Sequence, residues 1–201
     1  SLQNELPMLR RYVSVTVLIL MVGYLWFGQL AFAWPFVMDD SFISMHYAKN
    51  FIEHGQLGWN NGQLIVEGYS NFSYVMVAAL AMYLHLNALL VLKLLSLGCY
   101  AITLMLLYRL SRMWVSPSYA MIPSLWLMCY YGQVIWTVSA LETSCYQCLL
   151  VASVYYALRA LGYQSSIDDL TVTRRSLQPR AFIICGVLLA LACLTRPEAP
   201  A

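Results

Sequence analysis

Five stretches of this chain, residues 13–33, 88–108, 119–136, 143–161 and 181–194, are almost wholly apolar. Each runs to about the length that carries a helix across the hydrocarbon core of a bilayer, roughly 17–25 residues, or falls a little short of it. A shorter apolar run covers residues 74–86. Hydrophobic residues make up 61% of the chain and charged residues only 10%, against about a quarter charged in an ordinary soluble domain; the mean hydropathy is +0.67. The expected fold class is therefore all-α: a multi-pass helical bundle embedded in membrane lipid. No small-residue cleavage site follows the first block, so 13–33 reads as a retained span rather than a removed signal.

The same composition excludes other classes. A net charge of +2 spread over loops gives no basic stripe to track phosphates, so nucleic acid is not an expected partner. All six cysteines lie in or beside apolar blocks, where a free thiol behaves as a small hydrophobe. Cys145 and Cys148 share one helix face by spacing, and no disulfide framework is expected.

Lys and Arg near span ends mark the cytoplasmic side. Arg10 and Arg11 precede the first block, Arg109 and Arg112 follow the second, and Arg174, Arg175 and Arg180 sit before the last. All three groups fall on one side only if an odd number of crossings separates Ser73 from Arg109. The short 74–86 run, interrupted by His85 and Asn87, is then a half-span or surface helix. This leaves the N-terminus cytoplasmic, with loop 34–73, Glu142, Arg196 and Glu198 on the outer face.

Loop 34–73 is far more polar than its surroundings. Phe42, Met45, Ala48 and Ile52 recur at helical spacing, which predicts an amphipathic surface helix over 41–54, stopped by Gly55. Asp39 and Asp40 stand just before it. One Asp there suits capping; two adjacent carboxylates can also divide labour, one as general base towards a hydroxyl and one holding a cation or raising its neighbour's pKa. His46 and His54 are further cation-ligand candidates, against the plainer reading of each as a residue of the helix surface. Tyr69, with Trp59, Tyr47 and Trp34, suits the interfacial aromatic belt. Glu67 lies where the loop returns to the membrane, and Glu142 sits between two apolar blocks, where a carboxylate is a functional candidate by default. Arg196 and Glu198 follow the last block and can pair with each other across Pro197; an Arg at that surface also suits a phosphate through its forked donors.

The run from Asp39-Asp40-Ser41-Phe42-Ile43-Ser44 through Tyr47-Ala48, Asn50, Trp59-Asn60 and Gly62 to Val66-Glu67-Gly68-Tyr69-Ser70-Asn71-Phe72 resembles the first-loop signature of the mycobacterial terminal arabinofuranosyltransferases. These belong to the GT-C class of polyprenyl-phosphate-sugar-dependent membrane glycosyltransferases. Leu141-Glu142-Thr143 and Leu194-Thr195-Arg196-Pro197-Glu198 resemble two further motifs in the same order. The resemblance implies that Asp39 and Asp40 are catalytic and that Glu67, Tyr69, Asn71, Glu142, Arg196 and Glu198 bind substrate. It also implies a divalent cation, Mg or Mn, for which Asp40 and His46 are the candidate ligands. The donor would be a polyprenyl-phosphate-linked arabinofuranose or other pentose or hexose, and the acceptor an extracytoplasmic glycan or lipid. Such enzymes end in an outer domain, so residues 1–201 are expected to be an N-terminal transmembrane module without it.

Two other classes compete with the enzyme reading. A transporter or flippase subunit would place its ionisable residues near the bilayer midplane, where only Lys93 is expected. A non-catalytic assembly subunit would use the acidic loop for docking and tolerate loss of both aspartates.

Overall fold

A computed structural model describes residues 2–60, 68–164, 173–174 and 177–196. Helices dominate: α1 Leu2–Ala33, α2 Asp39–His54, α3 Phe72–Tyr83, α4 Ala88–Ser111, α5 Pro117–Ala120, α6 Ile122–Cys129, α7 Tyr131–Val138, α8 Thr143–Ala160 and α9 Pro179–Thr195. One two-residue antiparallel ladder pairs Tyr163 with Arg174 and Gln164 with Thr173. Thr16–Ala33 and Ala88–Ser111 are long and apolar enough to cross a membrane, and α7 with α8 makes a third crossing if that bent pair is one span. Among the described residues two or three candidate spans thus stand where the apolar blocks predict five, with Phe72–Tyr83 and Pro179–Thr195 as shorter apolar helices.

The expected span over 119–136 is not one helix. Pro123 sits in the first turn of α6, where it has no N–H to give, and Tyr130 is extended between α6 and α7 (φ −80°, ψ 100°). Proline suits a helix start and not a helix interior, so hydropathy reads as continuous a segment whose backbone is broken twice. The 74–86 run also differs from a full span: α3 has 12 residues, about 18 Å at 1.5 Å per residue, short of a hydrocarbon core of about 30 Å.

Helices α8 and α9 run antiparallel: Gln178 N–H donates to Ala160 O at one end, and Arg196 meets Glu142 at the other. Leu106 and Met113 of the α4 end pack with Ala152, Tyr155 and Leu188. Arg109, Arg112, Arg159 and Arg180 therefore gather towards one end of the bundle. Asp39, Asp40 and Glu142 lie at the other, about 27 Å away along the 18 residues of α8.

Lys93, in the second turn of α4, is a buried charge, 5% exposed. Its ammonium donates to Trp34 O (2.6 Å) and Phe36 O (2.9 Å) and lies 5.3 Å from the Trp34 ring centre. These carbonyls belong to the corner between α1 and α2, where Pro35 forbids a continuing helix. A buried ammonium needs such partners to offset its desolvation, so Lys93 fixes the corner from which α2 departs.

Helix α2 differs from expectation in two ways. It begins at Asp39, so both aspartates occupy its first turn, with Met38 at the cap position and no side-chain cap bond. Its buried face is Ser41, Ser44, Tyr47, Ala48 and Asn50, while Phe42 and Ile52 are exposed. The apolar stripe thus divides: Ala48 packs with Tyr74, Val75 and Ala78 of α3 and Met45 packs against the same cluster, while Phe42 and Ile52 face outward, as lipid contact would favour. Gly55 closes the helix at φ 70°, the left-handed conformation that glycine takes without penalty.

Candidate functional site

A cavity of about 330 Å³ opens where α2, the start of α3, the α7–α8 hinge and the end of α9 meet. Asp40, Ser44, Tyr69, Asn71, Glu142 and Arg196 line it, with Ile43, Gly68, Ser70 and Leu141. Three features of the backbone assemble it. Met38 N–H donates to Ser139 O at 3.1 Å, which ties the start of α2 to the hinge. The hinge bends the chain by 113° between α7 and α8 and holds Ala140 at φ 63°, a conformation that costs a non-glycine residue about 1–2 kcal/mol. Ser73 Oγ and Thr195 Oγ1, 3.0 Å apart, bind the first turn of α3 to the last turn of α9.

A hydrogen-bonded chain runs through the floor. Ser44 Oγ donates to Asn71 Oδ1 (2.9 Å), Asn71 Nδ2 donates to Glu142 Oε2 (2.9 Å), and Arg196 Nε donates to Glu142 Oε1 (2.8 Å). Ser44, Asn71 and Glu142 are buried at 4%, 6% and 5%, whereas the Arg196 side chain is 37% exposed. Since Glu142 engages Nε, the terminal Nη pair is left without a hydrogen bond among the described residues. The guanidinium carbon lies 5.8 Å from the Tyr146 ring centre, a cation–π distance. Asp40 is exposed in the first turn of α2, and no ion pair engages it among the described residues.

The structure thus brings Asp40, Tyr69, Asn71, Glu142 and Arg196 to one cavity and leaves others apart. Asp39 does not line it. His46 turns to Trp59, with Nε2 3.0 Å from Trp59 O and ring centres 4.3 Å apart. Glu67 and Glu198 lie outside the described residues.

Among the described residues no three His, Cys, Asp or Glu side chains stand together as metal ligands. Of the two candidate cation ligands, Asp40 lines the cavity and His46 does not, and Glu142 is engaged by a guanidinium and an amide.

No family model, curated protein or solved structure matches the chain. The cavity therefore stands on its own chemistry: a carboxylate open to solvent, a guanidinium whose fork is unbonded among the described residues, and a buried amide–carboxylate floor.

Sequence reasoning missed Ser44 and Ser70. Ser44 had a signal, for it lies four residues after Asp40, one helical turn along the same face. Gly68 also matters. A Cβ there would meet Tyr47 Oη at 2.7 Å, and Tyr47 cannot retreat: it is 1% exposed and packed edge-on against Tyr69 at 4.9 Å. Gly68→Ala is expected to cost about 1–3 kcal/mol, the usual range for overpacking, read as a lower melting temperature of the purified chain in detergent. An unchanged melting temperature would mean that Tyr47 has room to move.

Proposed function

We propose that this chain is a transmembrane module of a GT-C-type glycosyltransferase, multi-pass in a bacterial inner membrane with its N-terminus cytoplasmic, which transfers a sugar from a polyprenyl phosphate to an extracytoplasmic glycan or lipid. The observation that carries this reading is the pairing, in one cavity at one end of the bundle, of the open Asp40 carboxylate with an Arg196 whose fork makes no hydrogen bond among the described residues. Part of the stretch that carries the family resemblance lines this cavity, namely Asp40, Ser44, Tyr69 and Asn71 with Glu142 and Arg196, whereas Asp39 does not.

The chemistry follows from these parts. Asp40 takes the proton of an acceptor hydroxyl as its oxygen attacks the anomeric carbon. The bond from that carbon to the phosphate oxygen breaks, and polyprenyl phosphate leaves as an anion. The leaving group is stable without protonation, so a general acid is not needed. The Nη fork of Arg196 offers two parallel donors to the phosphate, the geometry guanidinium supplies and ammonium does not. Positioning and charge stabilisation carry most of the rate. In-line attack inverts the anomeric centre.

The transporter reading is less well supported. Its substrate site would lie near the midplane, but Lys93, the charge expected there, stands in the second turn of α4 and is engaged by two backbone carbonyls of the α1–α2 corner. The test is transfer by the full chain in lipid nanodiscs, supplied with radiolabelled polyprenyl-phosphate pentoses and hexoses and an envelope glycan extract. Labelled glycan or glycolipid, lost in the Arg196→Gln variant, is expected. Lack of transfer from every donor, together with lack of donor binding, would overturn the proposal.

A further inference from the structure

We propose that Asn71 is a positioning residue of this cavity: it holds Glu142 so that Glu142 takes the Nε of Arg196 and turns the Nη fork towards the ligand. This rests on the phosphate-binding reading of Arg196. The resemblance counts Asn71 among substrate-binding residues, and the geometry assigns it a different task.

Both ends of the Asn71 amide are already engaged inside the protein, by Ser44 and by Glu142, and the residue is 6% exposed. The two partners also fix which way the amide faces. Ionised Glu142 offers only acceptors, so the NH2 group must face it, and the oxygen then receives the Ser44 hydroxyl. Asn71 moreover stands at the cap position of α3 without capping it: its carbonyl accepts from Tyr74 and Val75, but its side chain makes no cap bond. An Asn at that position ordinarily accepts from the first turn. Here a local helix-stabilising bond is given up for a contact with a residue 71 positions away. A side chain placed only to begin α3 would not do this.

The consequence reaches Asp40. Ser44 lies one turn after Asp40 on α2, so the chain from Ser44 through Asn71 and Glu142 to Arg196 joins the helix that carries the proposed base to the group that holds the phosphate. Base and phosphate site then keep a fixed separation, as an in-line displacement requires.

The test uses Asn71→Asp and Asn71→Leu in the full chain in nanodiscs. Asn71→Asp keeps the shape but sets a carboxylate oxygen about 2.9 Å from Glu142. Two carboxylates that close cannot both ionise and hold one proton between them until the pH is raised. With the proton present, the bond to Glu142 is restored; without it, the two repel. Binding of farnesyl phosphate, taken as the ratio of variant to unaltered chain at each pH, cancels the ligand's own titration. Asn71→Asp is expected to bind within about threefold of the unaltered chain near pH 5.5 and roughly tenfold or more weakly near pH 8, the effect of about one charge-assisted hydrogen bond. Asn71→Leu should be weak at both.

A second readout needs no ligand. The Nε–H signal of Arg196 in protein labelled with 15N-arginine, assigned by its loss in Arg196→Lys, should weaken in Asn71→Asp near pH 8 and return near pH 5.5. If the unaltered chain does not bind farnesyl phosphate but this signal follows the pH, the function proposal fails and the positioning role stands. If farnesyl phosphate binds and both readouts ignore Asn71→Asp, the positioning role is overturned. Should that variant not fold, Ser44→Ala, which frees the amide to turn, must broaden the same Arg196 signal, and an unchanged signal overturns the proposal equally.

Discussion

Asp40→Asn is expected to lower sugar transfer by about 10²–10⁴-fold, the range for loss of a positioned base, while Asp39→Asn leaves most of the activity. Sequence alone treats the two aspartates as equals, but Asp40 lines the cavity and Asp39 does not. Successive helical residues are turned by about 100° from one another, so neighbours in a first turn need not share a site. Stability cannot produce the difference. Both residues sit in the first turn of α2, neither makes a side-chain cap bond, and each favours the positive helix end by only about 0.3–1 kcal/mol. Both variants should therefore melt within a few degrees of the unaltered chain. The measurement is turnover of radiolabelled polyprenyl-phosphate sugar by purified variants, with melting temperatures alongside. Equal losses in the two would return Asp39 to the mechanism, and near-normal turnover in Asp40→Asn would favour the docking-subunit reading.

How much of this was legible depended on whether the signal was local. The apolar blocks marked α1 and α4 because each is one long uninterrupted helix, and Gly55 marked the end of α2 because a left-handed residue favours glycine. The break within 119–136 was less visible, since hydropathy does not register that Pro123 starts a helix or that Tyr130 is extended. The apolar pattern of α2 marks only part of its buried face. Tyr47 and Ala48 are buried with Met45 packed beside them, whereas Phe42 and Ile52 are exposed and the polar Ser41 and Ser44 are buried against neighbouring helices. Close packing of small residues is the rule where lipid, not water, is the alternative.

Part of the site could be read and part could not. Asp40, Asn71, Glu142 and Arg196 were named from short motifs scattered over more than 150 positions, and they meet in one cavity. What no motif could reveal was the wiring. The left-handed Ala140, which bends α7 into α8, and the Met38 to Ser139 bond, which brings Asp40 near Glu142, depend on contacts about 100 residues apart. His46 shows the converse: a chemically apt residue whose ring faces Trp59.

Arg196→Ala should reduce both stability and donor binding, and a second variant separates the two. Glu142 is buried while its partner is over a third exposed. Removing one member of a fully buried pair costs about 3–5 kcal/mol, but water entering the cavity can reach Glu142, and Asn71 still donates to its other oxygen. The expected loss is therefore nearer about 1–3 kcal/mol, the cost of a partly compensated polar group, seen as a melting temperature lower by several degrees. Adding Glu142→Gln to Arg196→Ala removes the uncompensated charge, and the amide can accept from Asn71, so most of the lost stability should return. Donor binding should not return, because the guanidinium fork is still missing. Polyprenyl phosphate binding and thermal melting, measured on the single and double variants, decide between the roles. Recovery of both together would make Arg196 a structural counter-ion for Glu142. Recovery of stability alone, with binding still lost, is the result expected if the guanidinium holds the phosphate.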